Sequence, residues 1–129
     1  MSSIAENLKQ IREQIPSNVT LVAVSKTKPN EAIIEAYNAG QREFGENRVQ
    51  ELVAKSESLP ADIEWHMIGH LQTNKVKYII PFVNLIHSID SVKLLKEVNK
   101  QARNSDRVIK VLLQFHIAKE STKFGFDLN

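Results

Sequence analysis

Lys26 lies in the segment LVAVSKTKP, directly after the continuous apolar run Leu21–Val24. Such a run is typical of a strand that is covered on both faces, as in a parallel sheet packed by helices. If the strand alternates, Lys26 shares a face with Val24 and not with Ser25. Partial burial at the strand end would favour the neutral amine, and a neutral amine attacks carbonyl carbon to form an imine. The pattern thus leaves two interpretations of Lys26: the simpler one is a lysine whose ammonium reaches water, and the alternative is a partly buried, nucleophilic amine.

Other polar residues follow the later strands. Asn47, in FGENRVQE, precedes a predicted helix, and a helix N-cap is the simpler interpretation. His66, in EWHMIG, fits a core position or a rim position, while His70 and His87 are expected at the same rim. Histidines without carboxylates at ligand spacing are weak evidence for a metal site. The sequence also has no H-E-x-x-H, glycine-rich phosphate loop, Walker A or serine-elbow motif.

Helices and strands alternate along the chain. The first helix begins with the capping box of Ser3 and Glu6 and ends at Pro16. A second helix is predicted to begin with Pro29 before its N-cap and Asn30 as the N-cap. Further helices are predicted over Val49–Ser58, over TNKVKYII, and after Asp90 as an N-cap. The predicted strands are Thr20–Ser25, REFGEN, IEWHMIG, VNLIHSI and VIKVLLQFHI. Strands that are separated by helices of this length pair in parallel through right-handed crossovers.

Two architectures satisfy this alternation: an open doubly wound sheet and a (β/α)₈ barrel. Five strands suit the open sheet, since a complete barrel needs about 250 residues. In both architectures ligands bind where parallel strands end, and the loops there carry the polar segments SKTKP, GENRVQE, IGHLQTNK, HSID and IAKESTKFG. The opposite loops are ordinary connectors, so one rim of the sheet is the candidate binding site.

Composition limits the classes of protein to which the chain can belong. The chain has 129 residues with 42% hydrophobic and 25% charged side chains, which predicts a single domain over 1–129 with its own core. No apolar run approaches the roughly 18 residues of a membrane span, and the absence of cysteine fits a cytoplasmic protein. The net charge of +2 and the scattered lysines disfavour nucleic-acid binding.

The segments LVAVSKTKP, FGENRVQE, EWHMIGHLQTNK, HSID and KESTKFG occur in the order and at the spacing of the YggS/PROSC family of pyridoxal 5′-phosphate homeostasis proteins. The chain resembles this family from about Ile4 to Gly125. The resemblance implies a fold like the alanine racemase N-terminal domain, a partial (β/α)₈ TIM-type barrel with about five parallel strands. It also implies pyridoxal phosphate bound as an imine on Lys26, with Asn47 beside the cofactor and His66 and Ile68 lining the pocket. The resemblance further implies a protein that buffers and delivers the cofactor and does not catalyse a reaction.

The chain is shorter than members of that family, which implies a truncated half-barrel without the phosphate-binding segments. We therefore expect impaired cofactor binding, and either self-association or a partner chain that completes the barrel. One alternative is an engineered or truncated scaffold that self-associates without cofactor. Another is a pyridoxal-phosphate-dependent amino-acid racemase-like enzyme, which would need an acid–base residue opposite Lys26. Tyr37 and Tyr78 fall within predicted helices and do not meet this need.

Overall fold

Strands and helices alternate through a computed structural model of the chain, which describes residues 3–115, 117 and 125–126. The elements are α1 (Ile4–Gln14), β1 (Ala23–Val24), α2 (Asn30–Asn38), β2 (Glu43–Glu46), α3 (Val49–Ser58), β3 (Glu64–Met67), α4 (Val76–Ile79) after a 3₁₀ turn (Thr73–Lys75), β4 (Leu85–Ile89), α5 (Val92–Asn104) and β5 (Lys110–Leu113). Within these ranges, no helix has the length and apolar character that crossing a membrane requires. Most of the fifth polar loop, KESTKFG, lies outside the described residues.

The five strands form one parallel sheet in the order β1-β2-β3-β4-β5. A doubly wound sheet reverses its strand order at a switch point, whereas a barrel adds each strand beside the one before it. The observed order does not reverse, so the sheet is part of a (β/α)₈ barrel, and the predicted fold class is confirmed. Phe115 pairs in parallel with Phe126 just beyond β5, which continues the same succession.

The two faces of the sheet differ in burial. Alternate side chains, including Phe44, Trp65, Met67 and Ile86, are buried in the main hydrophobic cluster. Intervening positions belong to the opposite face, which we call the inner face because it corresponds to the inside of a barrel. On this face Val24 and Leu112 are 54% and 49% exposed. The core therefore lies on the other side of the sheet, and the inner face is open at the two outer strands.

Most helix ends follow the predicted chemistry. Ser3 and Glu6 form both hydrogen bonds of the capping box, and Gly40 has a φ of 103° after α2, a conformation that favours glycine. Two N-caps differ from the prediction: Pro29, not Asn30, precedes α2, and the Ser91 hydroxyl, not Asp90, accepts from an N–H of α5. Ser91 caps the helix because it directly precedes Val92, so its hydroxyl reaches the third amide of the helix, that of Leu94.

Gly69 marks a close approach between the loops that follow β2 and β3. A Cβ at Gly69 would lie 2.3 Å from the carbonyl oxygen of Asn47 and 2.8 Å from its Cα. A Cβ at Gly45 would instead have side-chain atoms of Ile68 and Val22 as its nearest neighbours, at 3.0–3.2 Å. Backbone atoms move less easily than the ends of side chains. We therefore expect Gly69 to tolerate substitution less well than Gly45.

We predict that Gly69→Ala lowers the free energy of unfolding by at least about 2 kcal/mol, because it forces two loops apart. Gly45→Ala should cost about 1 kcal/mol, since Ile68 and Val22 can adjust. Urea unfolding midpoints of the two variants, compared with the parent chain, measure the difference. Equal midpoints for the two variants would show that the Gly69 contact is not a constraint.

Candidate functional site

Lys26 occupies the end of the first strand, at the rim predicted to carry the site. The Ser25 amide donates to the Gly45 carbonyl at 3.0 Å, so the parallel ladder continues one residue beyond β1. Ser25 is buried on the helix side and Lys26 is exposed, as the predicted alternation requires. The interpretation of Lys26 as a partly buried amine is therefore wrong, and the simpler one, a side chain that reaches water, is confirmed. β1 is a two-residue strand at the edge of the described sheet, where it pairs with β2 alone, so one side of the strand is left open to water.

Asn47 directly follows β2 and is half-buried. The N-cap of α3 is Arg48, and this helix begins without a side-chain cap. The simpler interpretation of Asn47 as an N-cap is therefore wrong, and its carboxamide is not used to start the helix. The backbone of Asn47 is fixed instead by the close approach of Gly69.

Ile68 follows β3, where its amide donates to the Glu46 carbonyl at 2.9 Å. Its side chain lies on the inner face, where it approaches Val22 over Gly45. Because Gly45 has no side chain, Ile68, just after β3, and Val22, just before β1, come close together over β2. The structure thus places Ile68 in an apolar patch beside the rim.

His66 belongs to β3, is only 5% exposed, and lies 2.9 Å from His87 through the contact of its Nδ1 with His87 Nε2. One imidazole donates and the other accepts in this contact. Burial, followed by the neighbouring His87, lowers the pKa of His66 to about 4. Burial also lowers the pKa of His87. Both rings are therefore neutral near pH 7 and present a polar, uncharged surface.

Sequence reasoning placed His87 at the rim but did not pair it with His66. The pattern that predicts the contact is the register: His66 lies beside Leu85, and His87 is two residues further along on the same face. His70 and Asp90 follow at the next rim positions, and the distance between His70 Nδ1 and Asp90 Oδ2 is 3.3 Å, which brings the loops after β3 and β4 together. Asp90 therefore joins two loops and does not cap α5.

A cleft of about 600 Å³ lies between α3 and the 3₁₀ turn and α4 that follow β3. Asn47 and His70 are among its lining residues, whereas Lys26 and His66 are not. The cleft is therefore separate from the surface around the candidate amine. In the described part of the chain, no group of three or more His, Asp or Glu side chains is arranged to hold a metal ion.

The low pKa of His66 should make the free energy of unfolding depend on pH in the acidic range. Between about pH 6.5 and pH 4 the unfolded chain binds a proton that folded His66 does not bind, so the free energy of unfolding falls as pH decreases. The loss attributable to His66 should approach about 3 kcal/mol at pH 4. His66→Gln should make the stability profile flatter over this range. Urea titrations from pH 7 to pH 4 measure the profile, and an NMR midpoint of His66 near 6.5 in the folded chain would contradict it.

Comparisons with known proteins extend this description. The pyridoxal phosphate homeostasis protein of Escherichia coli K12 is 41% identical over 142 residues, which cover 99% of this chain and 61% of that protein. PipY of Synechococcus elongatus is 44% identical, and its structure without pyridoxal phosphate superposes with a TM-score of 0.92 over 97% of this chain and 59% of PipY. The structure of PipY with pyridoxal phosphate bound gives a TM-score of 0.86.

The chain thus spans about 60% of the length of these relatives. Alanine racemase from Enterococcus faecalis, at 18% identity and a TM-score of 0.74, shares the fold. Residues 1–128 match the family described as alanine racemase, N-terminal domain. The predicted resemblance is confirmed by these relatives, and the chain belongs to the alanine racemase N-terminal domain family.

Proposed function

We propose that this chain is a pyridoxal phosphate-binding protein of the cofactor-homeostasis type, with the cofactor held as an imine on Lys26. The observation that carries the proposal is the position of Lys26, an amine directly after the first strand, at the rim where parallel strands end. Ligands of parallel α/β folds bind at this rim. The cofactor-bound structure of PipY, which is 44% identical to this chain, supports the assignment.

The neighbouring residues suit such a ligand. Asn47 offers a carboxamide that is not used as a cap, and Ile68 offers an apolar side chain on the inner face. His66 and His87 are neutral near pH 7, so they add hydrogen-bonding capacity without a competing positive charge. A flat aromatic aldehyde needs this combination of an amine, an apolar surface and a few polar groups. We propose Asn47, His66 and Ile68 as cofactor-binding residues on this basis.

The proposed role is buffering and delivery of the cofactor, not catalysis. The curated relatives are named for homeostasis of pyridoxal phosphate and not for a reaction. A racemase-like reaction needs a second acid–base group opposite the lysine. The two tyrosines occupy helices instead: the Tyr37 hydroxyl donates a hydrogen bond to Asp62 Oδ1 at 2.6 Å, and Tyr78 belongs to α4.

The absence of cysteine supports a cytoplasmic location, which is part of the proposal.

We further propose that the 129-residue chain holds the cofactor weakly. Lys26 is exposed, so water has access to any imine that forms on it. Formation of the imine releases one water molecule, and the reverse reaction consumes one. An imine in contact with solvent is therefore readily hydrolysed, whereas one in a closed site is protected.

Adding pyridoxal phosphate should produce visible imine absorbance that borohydride converts to a stable adduct on Lys26. Lys26→Ala should abolish this adduct, whereas the matched control Lys28→Ala, an exposed lysine two residues away, should retain it. Mass spectrometry of the reduced protein locates the adduct. Without borohydride, gel filtration should remove most of the cofactor. Equal labelling of the parent chain and Lys26→Ala would contradict the proposed function, and a tight adduct that survives gel filtration would contradict weak binding.

We also propose that the chain self-associates through its inner face and open sheet edges. Val24 on β1 and Leu112 on β5 expose apolar side chains at the two outer strands of the described sheet. Such edges readily pair with another strand, and a large exposed apolar surface favours association. A second copy offers the same edges and the same apolar face, so both features are covered when two copies meet.

Light scattering should therefore show a dimer or larger species that dissociates in the double variant Val24→Asp/Leu112→Asp. Val92→Asp is the matched control, because Val92 is 56% exposed but lies on α5, away from the inner face. This control should keep the mass of the parent chain. A monomeric parent chain at micromolar concentration would contradict self-association.

A further inference from the structure

A buried lysine, Lys55, connects α3 with the strand ends at the candidate site. Its Nζ lies 2.7 Å from the Ser25 carbonyl, 2.8 Å from Glu46 Oε2 and 3.2 Å from Glu51 Oε2. The Lys55 and Glu46 side chains are 9% and 0% exposed. An ammonium has three protons to donate, so each of them has an acceptor here.

These contacts hold the residues on both sides of Lys26. Before Lys26, the Ser25 hydroxyl donates to Glu46 Oε2, and the Ser25 carbonyl accepts from Lys55. After it, the Thr27 amide donates to Glu51 Oε2 at 3.1 Å. Lys26 is therefore the single residue between two points at which the chain is tied to β2 and α3.

The second of these points also maintains an unusual backbone conformation. Thr27 has a φ of 62°, a left-handed conformation that is unfavourable for a β-branched residue. Such residues persist where surrounding contacts over-determine them. Glu51 supplies one such contact, and this hydrogen bond, together with Lys55, lowers the pKa of Glu51. The carboxylate is therefore ionised near pH 7 and is a strong acceptor.

Stability alone does not account for this arrangement. Replacing a buried ion pair with apolar side chains of similar size is often neutral or stabilising. We propose that Glu46, Lys55 and Glu51 are positioning residues, which fix the backbone on both sides of Lys26 so that its amine meets the aldehyde from one direction. This inference rests on the proposed function and adds residues that the resemblance did not predict.

Geometry matters here because imine formation needs the amine nitrogen to approach the aldehyde carbon along a restricted path. The nitrogen adds to that carbon, protons transfer, and water leaves. A misplacement of about 1 Å can reduce the rate of such a reaction about 100-fold. Partial loosening of the segment around Lys26 should therefore lower the rate of adduct formation while leaving the fold intact.

Glu51→Ala tests the inference with little risk to folding, since the Glu51 side chain is 31% exposed. The rate constant for imine formation with pyridoxal phosphate should fall about tenfold. Glu51→Gln should recover most of the rate, because its amide oxygen still accepts from Thr27. Glu57→Ala, an exposed glutamate on the same helix, is the matched control and should react like the parent chain. Hydrogen exchange at the Thr27 amide should accelerate only in Glu51→Ala.

The outcomes separate the two proposals, provided that urea midpoints confirm folding. Slow adduct formation in Glu51→Ala alone, with recovery in Glu51→Gln, supports positioning. Adduct formation at the parent rate in Glu51→Ala overturns the inference and leaves the proposed function intact. Failure of the parent chain itself to form an adduct on Lys26 overturns both.

Discussion

The buried ion pair between Glu46 and Lys55 is the interaction on which the geometry of the candidate rim depends. Removing both charges from water costs several kcal/mol per ion, and only a complete set of hydrogen bonds offsets that cost. Lys55 has such a set, but one carboxylate oxygen, Glu46 Oε1, is buried without a partner among the described residues. The pair is therefore not an efficient source of stability. Its distinctive effect is geometric, because it joins the ends of β1 and β2 to α3 at one point.

Local chemistry made much of the fold predictable. Ser3 and Glu6 predicted the start of α1, the helix predicted over Val49–Ser58 matches α3, and alternation assigned Ser25 and Lys26 to opposite faces. These features depend on residues close in sequence. The barrel-like strand order could not be derived in this way, because both parallel architectures share the same alternation. It was predicted only through the resemblance to a known family.

The errors share a different cause, which is contact between distant segments. Asp90 is a reasonable N-cap by type, but it pairs with His70 on another loop, and the neighbouring Ser91 caps the helix. The ion pair between Glu46 and Lys55 was not predicted. Glu46 lies within the segment FGENRVQE, but its contact with Lys55 depends on the packing of α3 against the sheet, which no local pattern specifies. The exposure of Lys26 likewise depends on what lies across the inner face, which no local pattern specifies.

This dependence connects the chemistry of Lys26 with the open inner face. The backbone on both sides of Lys26 is held by the hydrogen bonds of Ser25 and Thr27, while the Lys26 side chain lies on a face where Val24 is also exposed. The same face therefore carries both the apolar side chains that favour association and the amine that is proposed to bind the cofactor. Both features depend on residues that β1 leaves uncovered, and neither is specified by the local sequence around Lys26.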